Sequence, residues 1–363
     1  MLFAVTDLKA LVDNANRIKE IAGCGIIAVL KHDAYSAGLI QCARALDGAV
    51  TAFAVSSPHE ALKLLSADVT ANIMVVSPVQ PHDLGWVPEK IIVPIDCPDI
   101  LEHMQNIHIK KQLRVQLRID ACGSGIGLDE QGFEQAFDVV QKNKRFKLYG
   151  VFSHCPSIYR GEDATIAADK FAAIARKVKS VYPGALCHIA TSASLGHRTL
   201  AFDAVRVGTA LYGLPSFDSH DVSYLEPVIT LYSILSRVID QKGDTLSFYE
   251  NCVDTGLVKK IGIVSAGYGD LPALINKKGV LVAVRGRLVP VIGNCSMSHM
   301  IIDLTGVPEA QAGDRAVLVG RSADRTISAA VFAKNCSIPV CRCEGALFTT
   351  PCATKLIVQE PIT

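Results

Sequence analysis

A lysine that directly follows a buried strand is the first candidate for chemistry in this sequence. The run from Ile26 to Leu30 is continuously apolar, which is typical of a parallel strand covered on both faces, and Lys31 comes immediately after it. In parallel α/β folds, ligands bind and reactions occur at the carboxyl ends of the strands. A lysine held against apolar walls loses solvation, so its amine can become a nucleophile for a carbonyl group. From this pattern alone, a surface lysine that simply ends a strand is the more common interpretation.

Strands and helices alternate through the first part of the chain. Eight strands with this rhythm indicate βαβ units, and they predict an α/β fold with a closed (β/α)8, TIM-like barrel in residues 1–227. An open doubly wound sheet is the alternative, but no G-x-G-x-x-G run follows the first strand. The predicted strands lie at residues 26–30, 51–55, 72–76, 91–95, 113–120, 147–154, 185–191 and 204–208.

The pattern of the sequence changes after Pro227. Short apolar runs, most of them separated by turns that contain Gly or Asp, predict a C-terminal, mostly antiparallel β domain over residues 228–363. The strands expected there lie at residues 228–231, 234–238, 260–264, 279–284, 288–292 and 315–319.

Composition limits the classes of partner. The 36 basic and 35 acidic residues nearly cancel, which argues against nucleic acid or an anionic membrane as the main partner. The N-terminus does not resemble a secretory signal, and no apolar stretch approaches the ~20 residues that span a bilayer, so a cytoplasmic protein is expected. The 12 cysteines are scattered, and those near the C-terminus lack C-x2-C pairs, so buried thiols are favoured over a metal site.

The segment around Lys31 resembles the V-x-K-A-D-A-Y-G-H-G signature of the alanine racemases. Residues 29–35 read VLKHDAY, with His32 in place of an alanine and Ser36-Ala37 in place of the Gly-His pair. Further similar stretches follow in the family's order along essentially the whole chain. They are RID at 118–120, SH at 153–154, TSA at 191–193, FDAVRVGTALYG at 202–213, GYGD at 267–270, and a weaker match at 294–304.

This resemblance implies dependence on pyridoxal 5'-phosphate, which Lys31 would carry as a Schiff base, and racemisation of alanine. Lys31 and Tyr268 would be the two bases, because inversion removes a proton from one face and delivers it to the other. In the family the tyrosine comes from the partner subunit, so a homodimer is expected. The other residues implied are Tyr35, Ser192, Gly208 and Thr209 at the phosphate, Arg206 at the pyridine nitrogen, His154 and Arg206 as cationic neighbours that lower the pKa of Tyr268, Arg118 at the cofactor, and Met297 at the substrate.

Each of these residues also has an ordinary structural interpretation. His154 suits a strand-end histidine, Arg206 a salt-bridge partner of Asp203, and Tyr268 an aromatic residue in a glycine turn. Their joint occurrence in the family's order favours a site.

Three further positions, all expected near the cofactor or the substrate pocket, depart from the family's pattern. Arg118 stands where a lysine is usual, Gly125 where an arginine contacts the cofactor, and Val340 roughly where a pocket tyrosine lies. We therefore hypothesise that Arg118 alone supplies the positive charge that both of the usual residues arrange. The loss of the tyrosine predicts a wider pocket. The alternatives to an alanine racemase are a racemase of serine or a larger amino acid, and a catalytically silent homologue that binds the cofactor.

Overall fold

The structure is a computed structural model, and it divides the chain into two compact units. One unit comprises Leu11–Ala34 and Gly38–Leu211, and the other comprises Met1–Ala10, Tyr35–Ala37 and Tyr212–Thr363. The predicted fold class, a (β/α)8 barrel with an antiparallel β domain, is confirmed, while the boundary at residues 227 and 228 stays a prediction. The described residues are 1–106, 111–156, 158, 164–217, 221–243, 245–248, 251–254, 256–277, 279–323, 325–338 and 353–358.

The barrel unit contains an eight-stranded parallel sheet in which the first seven strands pair in chain order and the eighth pairs with the first. Arg206 on the last strand pairs with Ile27 on the first and bridges to Thr191 beyond the seventh, so the sheet closes. All eight strands lie at their predicted positions. They are Gly25–Val29, Ala52–Val55, Asn72–Val75, Ile91–Ile95, Leu113–Ile119, Phe146–Ser153, Leu186–His188 and Ala204–Val207.

The strands form because their apolar runs are buried on both faces. Small and unbranched side chains, including Ala52, Ala54 and Met74, pack together in one fully buried cluster. Two of the helices that cover the sheet start at side-chain caps: the hydroxyl of Ser57 accepts from the N–H of Glu60 at 3.2 Å, and the carboxylate of Asp129 accepts from the N–H of Gly132 at 2.8 Å. The helices described in this part of the chain are Leu8–Ala22, Leu39–Leu46, Pro58–Leu65, Pro98–Asn106, Glu130–Lys142 and Thr165–Val181.

The second unit is built on a nine-stranded sheet whose neighbours are mostly antiparallel. The prediction of separate strands at 228–231 and 234–238 is wrong, because Ile229–Asp240 is one continuous strand. Several partners pair along its length, and bulges absorb the breaks in register. The sheet strands are Leu2–Asp7, Ile229–Asp240, Lys260–Val264, Leu281–Val284, Arg287–Ile292, Met300–Asp303, Arg315–Ser322, Arg325–Ile327 and Ala353–Val358, with a hairpin of Thr245–Phe248 and Asn251–Asp254 and a helix at Ala329–Asn335.

Two further findings bear on the class of protein. Among the described residues, no helix is long and apolar enough to cross a membrane, and no group of three or more His, Cys, Asp and Glu side chains is arranged to hold a metal ion. Cys42, Cys155, Cys187, Cys295 and Cys336 are buried free thiols. The cysteines at 341, 343 and 352 lie outside the described residues.

Candidate active site

Lys31 begins a left-handed turn. The five residues from His32 to Ser36 all have positive φ, between 53° and 68°, although none is glycine. Each such residue costs about 1–2 kcal/mol relative to right-handed backbone, so the turn exists only because surrounding contacts fix it. The N–H of Ala34 donates to the carbonyl of Leu30 at 2.9 Å, and Asp33 accepts from the N–H of Leu39 at 2.9 Å. The sequence lacks the Gly or Asn that would have predicted this conformation.

Behind this turn, a row of side chains crosses three neighbouring strands inside the barrel. Arg118 is in register with Phe152, and Phe152 is in register with His188. The rings of Phe152 and His188 stack at 5.4 Å with planes 12° apart. The guanidinium carbons of Arg118 and Arg206 lie 5.8 and 5.4 Å from the Phe152 ring centre, within cation–π range.

Arg206 is held by several acceptors in the barrel interior. Its Nη1 donates to Nδ1 and the carbonyl oxygen of His188 at 2.7 and 3.1 Å, and its Nη2 donates to the carbonyls of Ser153 and Ile189 at 2.6 and 3.3 Å. A guanidinium only donates, so Nδ1 of His188 is the unprotonated nitrogen. Burial, with Arg206 second, lowers the pKa of His188 well below its usual range, which agrees with a neutral ring.

The ordinary interpretation of Arg206 as a partner of Asp203 does not describe this site. The carboxylate of Asp203 pairs with the ammonium of Lys179 and accepts from the N–H of Cys187 at 2.8 Å. Arg206 is therefore directed into the barrel, where its donors point to strand ends.

His154 follows the strand Phe146–Ser153 and lies among cationic side chains. Burial, followed by the positive charges of Arg206, Arg118 and Lys31, lowers its pKa to about 4. The ring is therefore neutral at physiological pH, which contradicts the expectation that His154 is a cationic neighbour of Tyr268. A neutral imidazole can accept a hydrogen bond and pass a proton on, which a permanently charged group cannot do.

Arg118 has a buried donor that no group satisfies in the described part of the chain. The side chain is 9% exposed, and its Nε has no hydrogen-bond partner there. Asp96 follows Ile95, which is in register with Leu117, so Asp96 lies next to Arg118 on the neighbouring strand. Burial lowers the pKa of Arg118 and raises that of Asp96, and each charge opposes the shift of the other. Arg118 thus presents a fixed positive charge with an available N–H.

Gly125 contributes no side chain to this region. It lies at φ +74° in an exposed loop, and a Cβ placed there would meet nothing within 4 Å. The loop is fixed by Asp120, whose carboxylate accepts from the N–H of Ser124 at 2.7 Å and of Gly125 at 2.8 Å. The position that is an arginine in the family is therefore an open one.

Backbone donors converge beyond the last barrel strand. The buried hydroxyl of Ser192 accepts from the N–H groups of Gly208 and Ala210 at 3.0 and 3.3 Å. Thr209 begins the short 3-10 helix Thr209–Tyr212. The two N–H groups are directed at the Ser192 oxygen, so the O–H of Ser192 is the donor left for a phosphate.

The other predicted residues belong to the second unit. Tyr35 contacts Tyr212 there, with ring centres 5.0 Å apart. The half-buried Tyr268 lies in a loop fixed against a second segment of the same unit, since its N–H donates to the carbonyl of Ser296 at 2.9 Å. The N–H of Gly269 donates to the carbonyl of Met297 at 2.8 Å, and Met297 is 60% exposed. Backbone hydrogen bonds therefore hold the loop that contains Tyr268 against the segment that contains Met297.

The glycines beside Tyr268 are required by this contact. A Cβ on Gly267 would lie 2.1 Å from the carbonyl oxygen of Ser296, and we expect Gly267→Ala to displace the loop and to cost about 1–3 kcal/mol of unfolding free energy. Urea denaturation measures the change in unfolding free energy, and steady-state kinetics of the purified protein measure the effect of the displaced loop on turnover. Gly306→Ala is the control, because a Cβ there meets nothing within 4 Å. Equal stability and equal turnover in Gly267→Ala and Gly306→Ala would contradict the requirement for glycine at position 267.

Sequence reasoning missed His188 and Asp96 as members of this region. Asp96 directly follows the predicted strand 91–95, and a polar residue at the end of a buried strand was the signal available for it. His188 lies within the predicted strand 185–191, so its position gave no such signal. Val340, where a pocket tyrosine was sought, lies outside the described residues, so the prediction of a wider pocket stays a prediction.

A barrel with a strand-end lysine and a group of buried cationic side chains is typical of α/β-barrel enzymes that bind anionic ligands. The chain belongs to the alanine racemase family. Residues 6–216 match the model of the alanine racemase N-terminal domain, and residues 228–341 match that of the C-terminal domain.

Known proteins resemble the chain over nearly its whole length. It is 29% identical to the alanine racemase of Syntrophobacter fumaroxidans over 343 residues, 91% of each chain, and 28% identical to that of Pseudomonas fluorescens over 364 residues, 94% of this chain and 99% of the relative. Among solved structures, the alanine racemase of Bacillus anthracis with bound L-Ala-P has a TM-score of 0.81 at 25% identity and covers 98% of this chain and 95% of its own. The biosynthetic enzyme of Pseudomonas aeruginosa has a TM-score of 0.84 at 21% identity and covers 98% of this chain and 99% of its own.

Proposed function

We propose that this protein is a pyridoxal 5'-phosphate-dependent racemase that interconverts L- and D-alanine. Membership of the alanine racemase family over both domains supports this assignment most strongly. The relatives compared above are alanine racemases, and Lys31 and Tyr268 are proposed as the two bases that racemisation requires.

The residues present suit this cofactor. The hydroxyl of Ser192, whose oxygen accepts from the N–H groups of Gly208 and Ala210, keeps its own proton to donate to a phosphate. The buried Nε of Arg118 has no partner in the described part of the chain and suits an anionic oxygen. When bound, pyridoxal phosphate supplies a conjugated ring that acidifies the Cα–H bond of an attached amino acid.

The chain's own residues would then divide the work. Lys31 would hold the cofactor and serve as one base, and Tyr268 would serve as the other from the opposite face. Arg206, fixed by His188, would face the ring nitrogen and keep it unprotonated, because a guanidinium only donates. His154, with its low pKa, would be the neutral group that supports proton movement at the phenol. Met297 is proposed to contact the substrate, and Tyr35 and Thr209 the phosphate.

Arg118 is proposed to act alone where the family uses two residues. We expect Arg118→Ala to lower turnover about 10²-fold and to weaken cofactor binding, because a preorganised positive charge is lost from a buried site. Arg118→Lys retains the charge, so its turnover should lie between those of Arg118→Ala and the unmodified protein. Arg114→Ala is the control on the same strand, since Arg114 donates to Asn72 at 2.7 Å and contacts the Tyr149 ring. Turnover close to that of the unmodified protein in Arg118→Ala would contradict this role.

A direct experiment tests the function itself. Purified protein mixed with pyridoxal phosphate should acquire the visible absorbance of a lysine Schiff base and should then remove the optical rotation of L-alanine solutions. L-Serine, assayed alongside, examines the wider-pocket prediction. A protein that stays colourless and leaves the rotation of L-alanine unchanged would overturn the proposal.

We also propose a homodimer that acts in the cytoplasm. The support is the family resemblance, in which the tyrosine base reaches the site from the partner subunit. Sedimentation of the purified protein measures the assembly, and a strictly monomeric active enzyme would contradict it.

A further inference from the structure

The left-handed turn that begins at Lys31 is held by the carboxylate of Glu60, which we call the carboxylate clamp. Glu60 is not among the residues that the family resemblance implies. Glu60 lies in the first turn of the helix Pro58–Leu65, after the second barrel strand. Its Oε1 accepts from the N–H of His32 at 2.6 Å and from that of Asp33 at 3.4 Å. Its Oε2 accepts from the N–H and the hydroxyl of Ser56 at 3.0 and 2.7 Å. One side chain therefore joins the lysine turn to the neighbouring strand end.

The chemistry of these four contacts requires a carboxylate. All four partners donate, and an ionised carboxylate is the side chain that accepts on both of its oxygens. Hydrogen bonds to a charged acceptor are about twice as strong as neutral ones. The contacts also oppose the cost of the left-handed backbone, which five consecutive residues adopt here.

The position of the clamp relates it to the proposed lysine base. The N–H groups that Glu60 binds belong to the two residues immediately after Lys31. The direction of the Lys31 side chain depends on the backbone on both sides of its Cα. The strand fixes the preceding residue, since the N–H of Leu30 donates to the carbonyl of Ala54 at 2.8 Å, and Glu60 fixes the following ones.

We propose that Glu60 is a positioning residue for Lys31, holding the left-handed turn so that the amine is correctly placed for the cofactor. This inference rests on the proposed function of Lys31. Glu60 touches neither substrate nor cofactor in this account and acts through the backbone of the turn.

The test compares Glu60→Ala and Glu60→Gln. We expect Glu60→Ala to lower kcat and cofactor affinity by about 10–100-fold each, since a displacement of about 1 Å in a reacting group has an effect of this size. The KM for alanine should change little, and the visible Schiff-base absorbance should form more slowly. Glu60→Gln keeps one acceptor oxygen but brings a donor to Ser56, so partial recovery is expected.

Controls separate positioning from general stability. Glu130→Ala removes an exposed first-turn glutamate of another barrel helix and should change neither cofactor affinity nor kcat. Ser56→Ala removes one donor to the clamp and should show a smaller effect in the same direction as Glu60→Ala, which keeps the test valid even where Glu60→Ala does not fold. Urea denaturation of each variant measures the change in stability.

The outcomes distinguish the two proposals. An unmodified protein that neither binds pyridoxal phosphate nor racemises alanine refutes the function. If the unmodified protein is active and Glu60→Ala matches Glu130→Ala in cofactor affinity and kcat, the positioning role of Glu60 is refuted. A Glu60→Ala variant that loses only stability, with kcat unchanged in the folded fraction, refutes it as well.

Discussion

Replacing Lys31 with alanine is expected to lower racemisation of alanine by about 10⁴-fold or more, because the variant loses both the covalent attachment of the cofactor and one of the two bases. The visible absorbance of the lysine Schiff base should disappear in the same variant. Pyridoxal phosphate would still bind through the hydroxyl of Ser192, which the N–H groups of Gly208 and Ala210 hold in place, but reversibly. Optical rotation of alanine solutions and absorbance spectra after dialysis measure the two effects.

A second lysine provides the control. Lys63 lies on the helix Pro58–Leu65 of the same unit, outside the strand-end region, and Lys63→Ala should retain both absorbance and turnover. A Lys31→Ala protein that still carries cofactor after dialysis and racemises at the original rate would refute the assignment of Lys31.

Removing the hydroxyl of Tyr268 is expected to have the second large effect on the rate of racemisation. We expect Tyr268→Phe to lower racemisation about 10²–10⁴-fold in both directions, because each direction needs one base to remove the proton and the other to deliver it. The Lys31 amine remains, so one enantiomer should still exchange its Cα hydrogen with solvent. Proton NMR in D₂O, on L- and D-alanine separately, measures that exchange.

The control for this variant is the same chemical change elsewhere in the unit. Tyr232 stacks on Phe3 with ring centres 5.1 Å apart, and Tyr232→Phe should leave turnover intact. Equal exchange of both enantiomers by Tyr268→Phe, with undiminished racemisation, would show that another group is the second base.

The two variants together test the proposed exchange of Tyr268 between subunits. In a dimer assembled from Lys31→Ala and Tyr268→Phe chains, one of the two sites contains both intact residues. Equal mixing after subunit exchange should therefore recover roughly a quarter of the original activity, since half of the dimers are mixed. No recovery from freely exchanging chains would indicate that both bases come from one chain.

Part of the site was predictable because it follows from strand order. Parallel strands place their carboxyl ends at one edge, so residues after apolar runs, such as Lys31, Arg118 and His154, were expected there from the sequence alone. The resemblance to the alanine racemases then gave each residue a proposed role. The roles themselves remain predictions, while the barrel and the family are established.

Other features depended on contacts between distant segments. The left-handed turn after Lys31 has no glycine to signal it, and it is fixed by Glu60, 28 residues away from His32. The apolar run of the strand Ile229–Asp240 is interrupted in the sequence, which predicts two strands. Pairing with Leu2–Asp7 and other strands makes it one continuous strand.

The alternation of buried strands and amphipathic helices, and hence a barrel with Lys31 at a strand end, could be predicted from the sequence because periodic burial is a local property. Three contacts became known from the folded structure alone: His188 fixes Arg206, Asp96 lies beside Arg118, and Glu60 holds the lysine turn. Each of these depends on hydrogen bonds or register between strands and helices that are far apart in sequence, and local patterns carry no information about such pairings.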